Sequence, residues 1–255
     1  MDLKFRQRFI DLWDKYFRNA ELPIVFYYAN DELIEAYFPA KGSHCIINEL
    51  NRVRAGAILQ FISSTIGCVG GKRYLGFTQK MGPKFEYFLS CGIPGEMEGE
   101  RYKKDPALVG ELMQRHPTFT APGKSIVFKR WDTLTAADLP QVVIFYATPD
   151  VLSGLFTLAN FDESDPQAVI TPMGSGCAAI VDYPYHEGLT DHPRPVLGMF
   201  DVSARPWVPP DFLTLAVPWS KFVRMVDNMD NSFLITPSWA KVLNRISGQP
   251  AFSEK

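Results

Sequence analysis

No stretch of the 255 residues approaches the roughly 18 consecutive apolar side chains that a membrane-spanning helix requires. The longest candidate, around residues 55–69, is interrupted by Gln60, Ser63, Ser64 and Thr65. Charges at Asp2, Lys4, Arg6 and Arg8 occupy what would be the apolar part of a secretory leader, so a cytoplasmic protein is expected. Neither sign of charge dominates. With 26 basic and 28 acidic residues the formal net charge is −2, which offers no global field to nucleic acid or an anionic membrane. Cysteine is scarce: Cys45, Cys68, Cys91 and Cys177 show no C-x-x-C spacing and read as reduced thiols. Also missing are H-E-x-x-H, G-x-S-x-G, a Walker P-loop and G-x-G-x-x-G, and with them any support for the enzyme classes they define. What is abundant is apolar surface, at 46% of residues, enough for a substantial core without a disulfide or metal.

Phe5, Phe9, Leu12, Trp13, Tyr16 and Phe17 fall at steps of three and four and predict an amphipathic opening helix. Ile24-Val25-Phe26-Tyr27-Tyr28 and Val142-Val143-Ile144-Phe145-Tyr146-Ala147 read as strands buried on both faces. Each is followed by a helix-start signal, Asn30 with Asp31 and Glu32 in one case and Thr148 with Pro149 and Asp150 in the other. At an offset of 118 (142 − 24) the segments 24–38 and 142–156 align without a gap, with identities at Val25/Val143, Tyr28/Tyr146, Ala29/Ala147 and Phe38/Phe156. Gly67-Cys68 then aligns with Gly176-Cys177, and Leu75-Gly76-Phe77 with Leu197-Gly198-Met199, if gaps are admitted.

The expected fold is therefore α/β, with mixed α+β also admissible. Two diverged repeats of a β-α-α-β unit, residues 20–130 and 138–220, would be related by a pseudo-two-fold. They would lie within one globular domain, 1–255, completed by C-terminal helices over 221–255. Further helices are expected from Ile46 through Phe61 to near Ser63, and from Asp105-Pro106 to His116-Pro117 with Leu108, Val109, Leu112 and Met113 inward. Strands are expected over 125–128, 196–200 and 213–217, and tail helices over 219–229 and 238–246. Residues 91–104 and 182–195, rich in Gly, Pro, Glu and His, read as long loops.

Four places carry chemistry. In Ile66-Gly67-Cys68-Val69-Gly70-Gly71-Lys72-Arg73, read as a helix end running into a turn, glycines admit a ligand to the backbone, and Lys72 and Arg73 can neutralise an anion or activate Cys68. The same residues also suit a helix C-cap, a small core thiol and an ordinary turn. Gly174-Ser175-Gly176-Cys177 repeats the glycine-cysteine pairing without the two cations. With Cys45, beside His44, and Cys91, the thiols Cys68 and Cys177 are candidate soft ligands for zinc or iron–sulfur, although close cysteine pairs are missing. Tyr185-His186-Glu187 and Asp191-His192 suit metal binding, proton transfer or a solvated loop. In Asp201-Val202-Ser203-Ala204-Arg205-Pro206-Trp207-Val208-Pro209, Arg205 either clamps a carboxylate or phosphate or pairs with Asp201.

These last residues, with Gly67-Cys68-Val69-Gly70-Gly71 and Met225-Val226-Asp227-Asn228-Met229-Asp230-Asn231-Ser232-Phe233-Leu234, resemble the family catalogued as domain of unknown function 169, found in anaerobic bacteria and archaea. The resemblance runs from about Leu22 to Ile246 and transfers no catalytic residue, while the anaerobic setting it implies is compatible with oxygen-sensitive thiol or cluster chemistry. The functional expectation is a protein that binds a small-molecule ligand or cofactor in a pocket between its repeats. The alternatives are a thiol- or metal/iron–sulfur-dependent redox enzyme and a non-catalytic partner protein.

Overall fold

The computed structural model describes residues 1–33, 35–37, 45–116 and 118–248. In chain order the elements are α1 (Leu3–Tyr16), β1 (Ile24–Ala29), α2 (Ile46–Arg54), β2 (Leu59–Ile62), α3 (Val69–Tyr74), α4 (Phe85–Phe88), α5 (Pro106–Arg115) and β3 (Ser125–Arg130). Next come β4 (Val142–Ala147), α6 (Pro149–Asn160), α7 (Tyr183–Glu187), β5 (Val196–Gly198), β6 (Leu213–Pro218), α8 (Trp219–Asn228) and α9 (Pro237–Ile246).

The strands form one six-stranded sheet in the order β2-β3-β1-β4-β6-β5, and every neighbouring pair is antiparallel. The architecture is thus mixed, of α+β type. Side chains alternate between the two faces with the period of two that a strand imposes. Ile24, Phe26, Ile126, Phe128, Val142 and Ile144 pack with Ile46, Ile47 and Leu50 of α2 and with Ala178, Ile180 and Val181. Val25, Val143, Phe145, Leu215 and Val217 pack on the other face with Phe9 and Trp13 of α1, Leu155 of α6, Phe222 of α8 and Trp239 of α9. Both faces are covered, which is why β1 and β4 read as continuous apolar runs rather than alternating ones.

Several sequence expectations give way here for identifiable reasons. The long helix through Phe61 is divided, because Gly56, at φ +103°, closes α2 and Ala57 N–H donates back to Arg52 O at 2.9 Å. Beyond that turn the chain extends into a strand, β2. After β1, residues 30–33 are not helical, and Asn30 Oδ1 instead accepts from Lys124 N–H at 3.3 Å. After β4, Pro149 at a first-turn position and the buried face of Val151, Leu155 and Leu158 do build a helix. The gapless likeness between 24–38 and 142–156 therefore stops structurally at Ala29/Ala147; its Ile34 and Phe38, like His44, lie outside the described residues. Leu75 ends α3 whereas Leu197 and Gly198 lie in β5, so that pair of anchors is not equivalent. β5 stops before Phe200 because Met199 takes φ +70°. In α5 only Val109 is buried, and Leu108 is exposed. Residues 183–187, expected in a loop, are helical as α7, preceded by a wide π-helical turn at Ala178–Asp182. Pro184 lacks the N–H that an α-helical bond to Ile180 needs, and the widened turn accommodates that missing bond.

Candidate functional site

Beside the α2 face of the sheet lies a cleft of about 760 Å³. One wall is built by Cys68, Val69 and Gly70 at the start of α3, by α4 and by Leu112, Met113 and His116 at the end of α5. The other is built by residues 171–175, by Tyr183 and by residues 198–203. Its surface is dominated by Met81, Met97, Met113, Met173 and Met199 with Phe85, Phe88 and Phe200. Methionine adapts its shape to what it touches, so this lining suits a bulky apolar partner. Val69, Met173, Phe200 and Val202 are left exposed among the lining residues.

The structure brings the two glycine-cysteine segments to this one cleft, but with different roles. Cys68 is not at a helix end. It precedes α3, its Sγ accepting from Gly71 N–H at 3.3 Å, and its side chain is exposed. Gly71 packs closely on α2: a Cβ there would lie 2.7 Å from Ile46 Cδ1, which would have to shift. Gly176 approaches the neighbouring Ile47, whose Cγ1 would lie 3.2 Å from an added Cβ. Cys177 is buried, and burial pushes its thiol well above the ordinary range. Burial likewise raises the half-buried Cys45. Cys91 stands in the 91–104 loop and does not line the cleft. Among the described residues no three His, Cys, Asp or Glu side chains converge as a metal-ligand set, so Cys45, Cys68, Cys91 and Cys177 are not assembled as one.

The cations expected near the ligand are engaged elsewhere or set back. Arg73 is buried and donates to Gln79 O, Lys72 is half-buried, and neither lines the cleft. Arg205 neither pairs with Asp201 nor enters the cleft; it donates to the carbonyls of Phe212, Pro209 and Pro210 and so fixes its own loop. Asp201 instead accepts from Gly176 N–H at 2.9 Å and from Ser203 Oγ at 2.8 Å. Glu187 holds Arg194 in a two-pronged ion pair, while Asp191 and His192 are exposed, so the histidine-carboxylate segment does not form a single site.

A polar cluster that the sequence reading missed stands in the cleft wall. His116, just past α5, brings Nε2 to 2.6 Å from Asp182 Oδ2 and Nδ1 to 2.9 Å from the Tyr183 hydroxyl. Tyr183 donates to Met173 O at 2.9 Å. Asp182 is only 1% exposed, and its other oxygen lies 3.0 Å from His186 Nδ1. The rings of Tyr74 and Tyr183 stand edge-on to His116 at 5.2 and 4.8 Å. Burial pushes both phenols up to about 12, so each is a protonated donor near neutrality. His186 is raised, first by its hydrogen bond to Asp182, with burial opposing. The sequence signal was the Asp182/His186 spacing of four, which aligns two side chains only once a helix is assumed there.

Exposure alone orders the thiols. Titration of the native protein with an aromatic disulfide reagent should modify Cys68 and Cys91 rapidly and Cys177 only on unfolding, with Cys68→Ser removing one fast equivalent. Rapid modification of Cys177, located by peptide mass, would contradict its burial.

Fold and cleft define an α+β protein with helices on both faces of an antiparallel sheet and one apolar cleft beside it. The chain belongs to the DUF169 family, described as uncharacterised ArCR, whose model matches residues 15–228. No match was found among curated proteins or solved structures. Among the described residues no helix is long and apolar enough to cross a membrane.

Proposed function

We propose that this protein binds a small, mostly apolar molecule in the cleft between residues 68–116 and 171–203. The observation that carries this reading is the lining itself: a drug-sized volume walled by thioethers and phenyl rings, with the buried His116 and the half-buried Tyr183 in its wall and the buried Asp182 behind them. The test is a titration with the apolar fluorophore anilinonaphthalene sulfonate, together with native mass spectrometry for a retained molecule. Met113→Glu, which places a carboxylate in the lining, is expected to weaken dye binding by about tenfold or more, since desolvating a charge costs more than the lost thioether contact. Unchanged dye affinity in that variant would place the dye elsewhere and count against the cleft.

The two walls belong to halves that we infer to be diverged copies of one unit. Strand pairing supports this. Val25 pairs with Val143, flanked by Ile24 with Ile144 and Phe26 with Val142, so an offset of 118 (143 − 25) maps this ladder onto itself. The outer strands agree, β3 and β2 flanking β1 as β6 and β5 flank β4. The parallel bridges Tyr37–Leu59 and Ile170–Val196 also correspond. On this mapping Cys177, just before the π-helical turn, stands where Cys45 stands before α2. Cys68 comes after β2 and has no cysteine counterpart.

A further inference from the structure

We propose that residues 81–115 are a hinged flap, anchored to the rest of the protein at Gln79 and His116, that swings out to admit the ligand and closes over it. The inference rests on the binding reading above and adds how the apolar molecule is admitted and held.

The polar bonds carry the argument. Among the described residues, no hydrogen bond or ion pair links residues 81–115 to any residue outside 81–116. Their bonds are made among themselves. Glu100 N–H donates to Phe88 O at 2.7 Å, Arg101 N–H to Ser90 O at 3.0 Å and Lys103 N–H to Leu89 O at 3.2 Å, while Lys84 pairs with Glu96. The 91–104 loop is thereby folded back on α4, and α4 packs in turn on α5. Neither core of the sheet draws on this segment, for even Val109, fully buried, belongs to neither.

Both ends, by contrast, are tied down. Gln79 O accepts from the buried Arg73 of α3, and Gln79 Nε2 donates to Phe119 O at 2.7 Å. At the other end, His116 meets Asp182 at 2.6 Å and the Tyr183 hydroxyl at 2.9 Å. Just inside the first anchor, Gly82 supplies a pivot, since an added Cβ there would meet no atom within 4 Å. A few such end residues are enough to absorb a hinge rotation.

The same unit builds a wall of the cleft through Met81, Phe85, Phe88, Met97, Leu112 and Met113. With no polar tie across the cleft, that wall breaks no hydrogen bond when it swings out, and opening costs apolar contact alone. A bound apolar molecule adds contacts to both walls and favours the closed state by that difference. An ornament fixed to the body would share bonds with it along its length, not at its two ends only.

Pulsed electron resonance between two nitroxide labels tests the motion. One label is placed on Cys91, exposed in the flap, and the other on the body in the variant Leu189→Cys, where the native side chain is exposed. Cys45→Ser and Cys68→Ser leave no other accessible thiol. The expected result is two populations of distance in the free protein, of which saturating anilinonaphthalene sulfonate reduces one at least about fivefold, as differential affinity for the closed state requires. His116→Gln should enlarge the population that the dye removes. A pair confined to the body, Leu139→Cys with Leu189→Cys and with Cys91→Ser added, should keep one distance throughout. A single flap distance with and without bound dye, two populations that bound dye leaves unchanged, or a body pair that shifts as much as the flap pair each overturns the proposal and leaves the binding reading intact. Failure of the dye to bind wild-type protein overturns both.

Discussion

Asp138→Ala is expected to lower folding stability by about 3–5 kcal/mol, the range for breaking a buried ion pair by removing one partner. Asp138 is 2% exposed and takes both of its oxygens to Lys129 Nζ at 2.9 Å. It also accepts from the Tyr27 hydroxyl and from Thr135 N–H at 2.7 Å and Oγ1 at 3.0 Å. The truncation would strand an ammonium that is itself 5% exposed on β3. Urea unfolding gives the loss directly. The double variant Lys129→Met/Asp138→Leu should recover much of it, because removing both charges also removes their desolvation cost. A single variant within about 1 kcal/mol of wild type would mean that water reaches Lys129. Burial alone would raise the Asp138 carboxyl, but hydrogen bonds from Tyr27, Thr135 and Lys129 outweigh it and hold it below its ordinary value. The folded-state value is depressed, so this contribution is complete above the ordinary carboxylate value of about 3.9 and is lost as pH falls through the folded one. Asp138→Ala should accordingly flatten the acid limb of the stability profile.

Asp182→Ala comes second, with an expected loss of about 2–3 kcal/mol from unpairing the buried His116 and removing the carboxylate beside His186, whose Nδ1 keeps the Asp182 backbone carbonyl at 2.9 Å. For a chain of this size that is roughly 5–10 °C in Tm, readable by calorimetry. The milder Asp182→Asn separates charge from shape. It should bring the His186 midpoint down toward 6.5, since the hydrogen bond to Asp182 is the main cause of its elevation. Linkage sets the sign. A histidine raised on folding stabilises fully below its unfolded value and loses that contribution as pH rises through the folded one, so the variant should lose pH dependence in that window. Carbon-bound ring protons followed by NMR would read the midpoint, and an unmoved His186 would remove Asp182 as its cause.

Much of the secondary structure was legible in the sequence because it rests on local periodicity. The apolar runs of β1 and β4 and the three-and-four spacing of α1 needed no information from elsewhere in the chain. Thr236 and Pro237 marked the start of α9 for the same reason, Thr236 accepting from Trp239 N–H at 3.4 Å. The point at which α2 gives way to β2 was not legible, because Ala57, Ile58 and Phe61 continue a helical pattern that a single left-handed glycine overrides. Cys68 was singled out by its glycine neighbours and does line the cleft. Lys72 and Arg73, singled out beside the same glycines, and Arg205, singled out in its proline-rich turn, do not.

The sequence by itself determined the thiol inventory, the balanced charge, the two central strands and the family. Only the tertiary structure decided that the strands run antiparallel, that Cys68 starts a helix, and that His116 meets Asp182 and Tyr183. The reason is distance along the chain. His116 and Asp182 are 66 residues apart, and their 2.6 Å contact exists because α5 and the π-helical turn pack toward the same cleft. Local pattern carries no record of such a meeting, since it reports which face of an element is buried and not which element covers it.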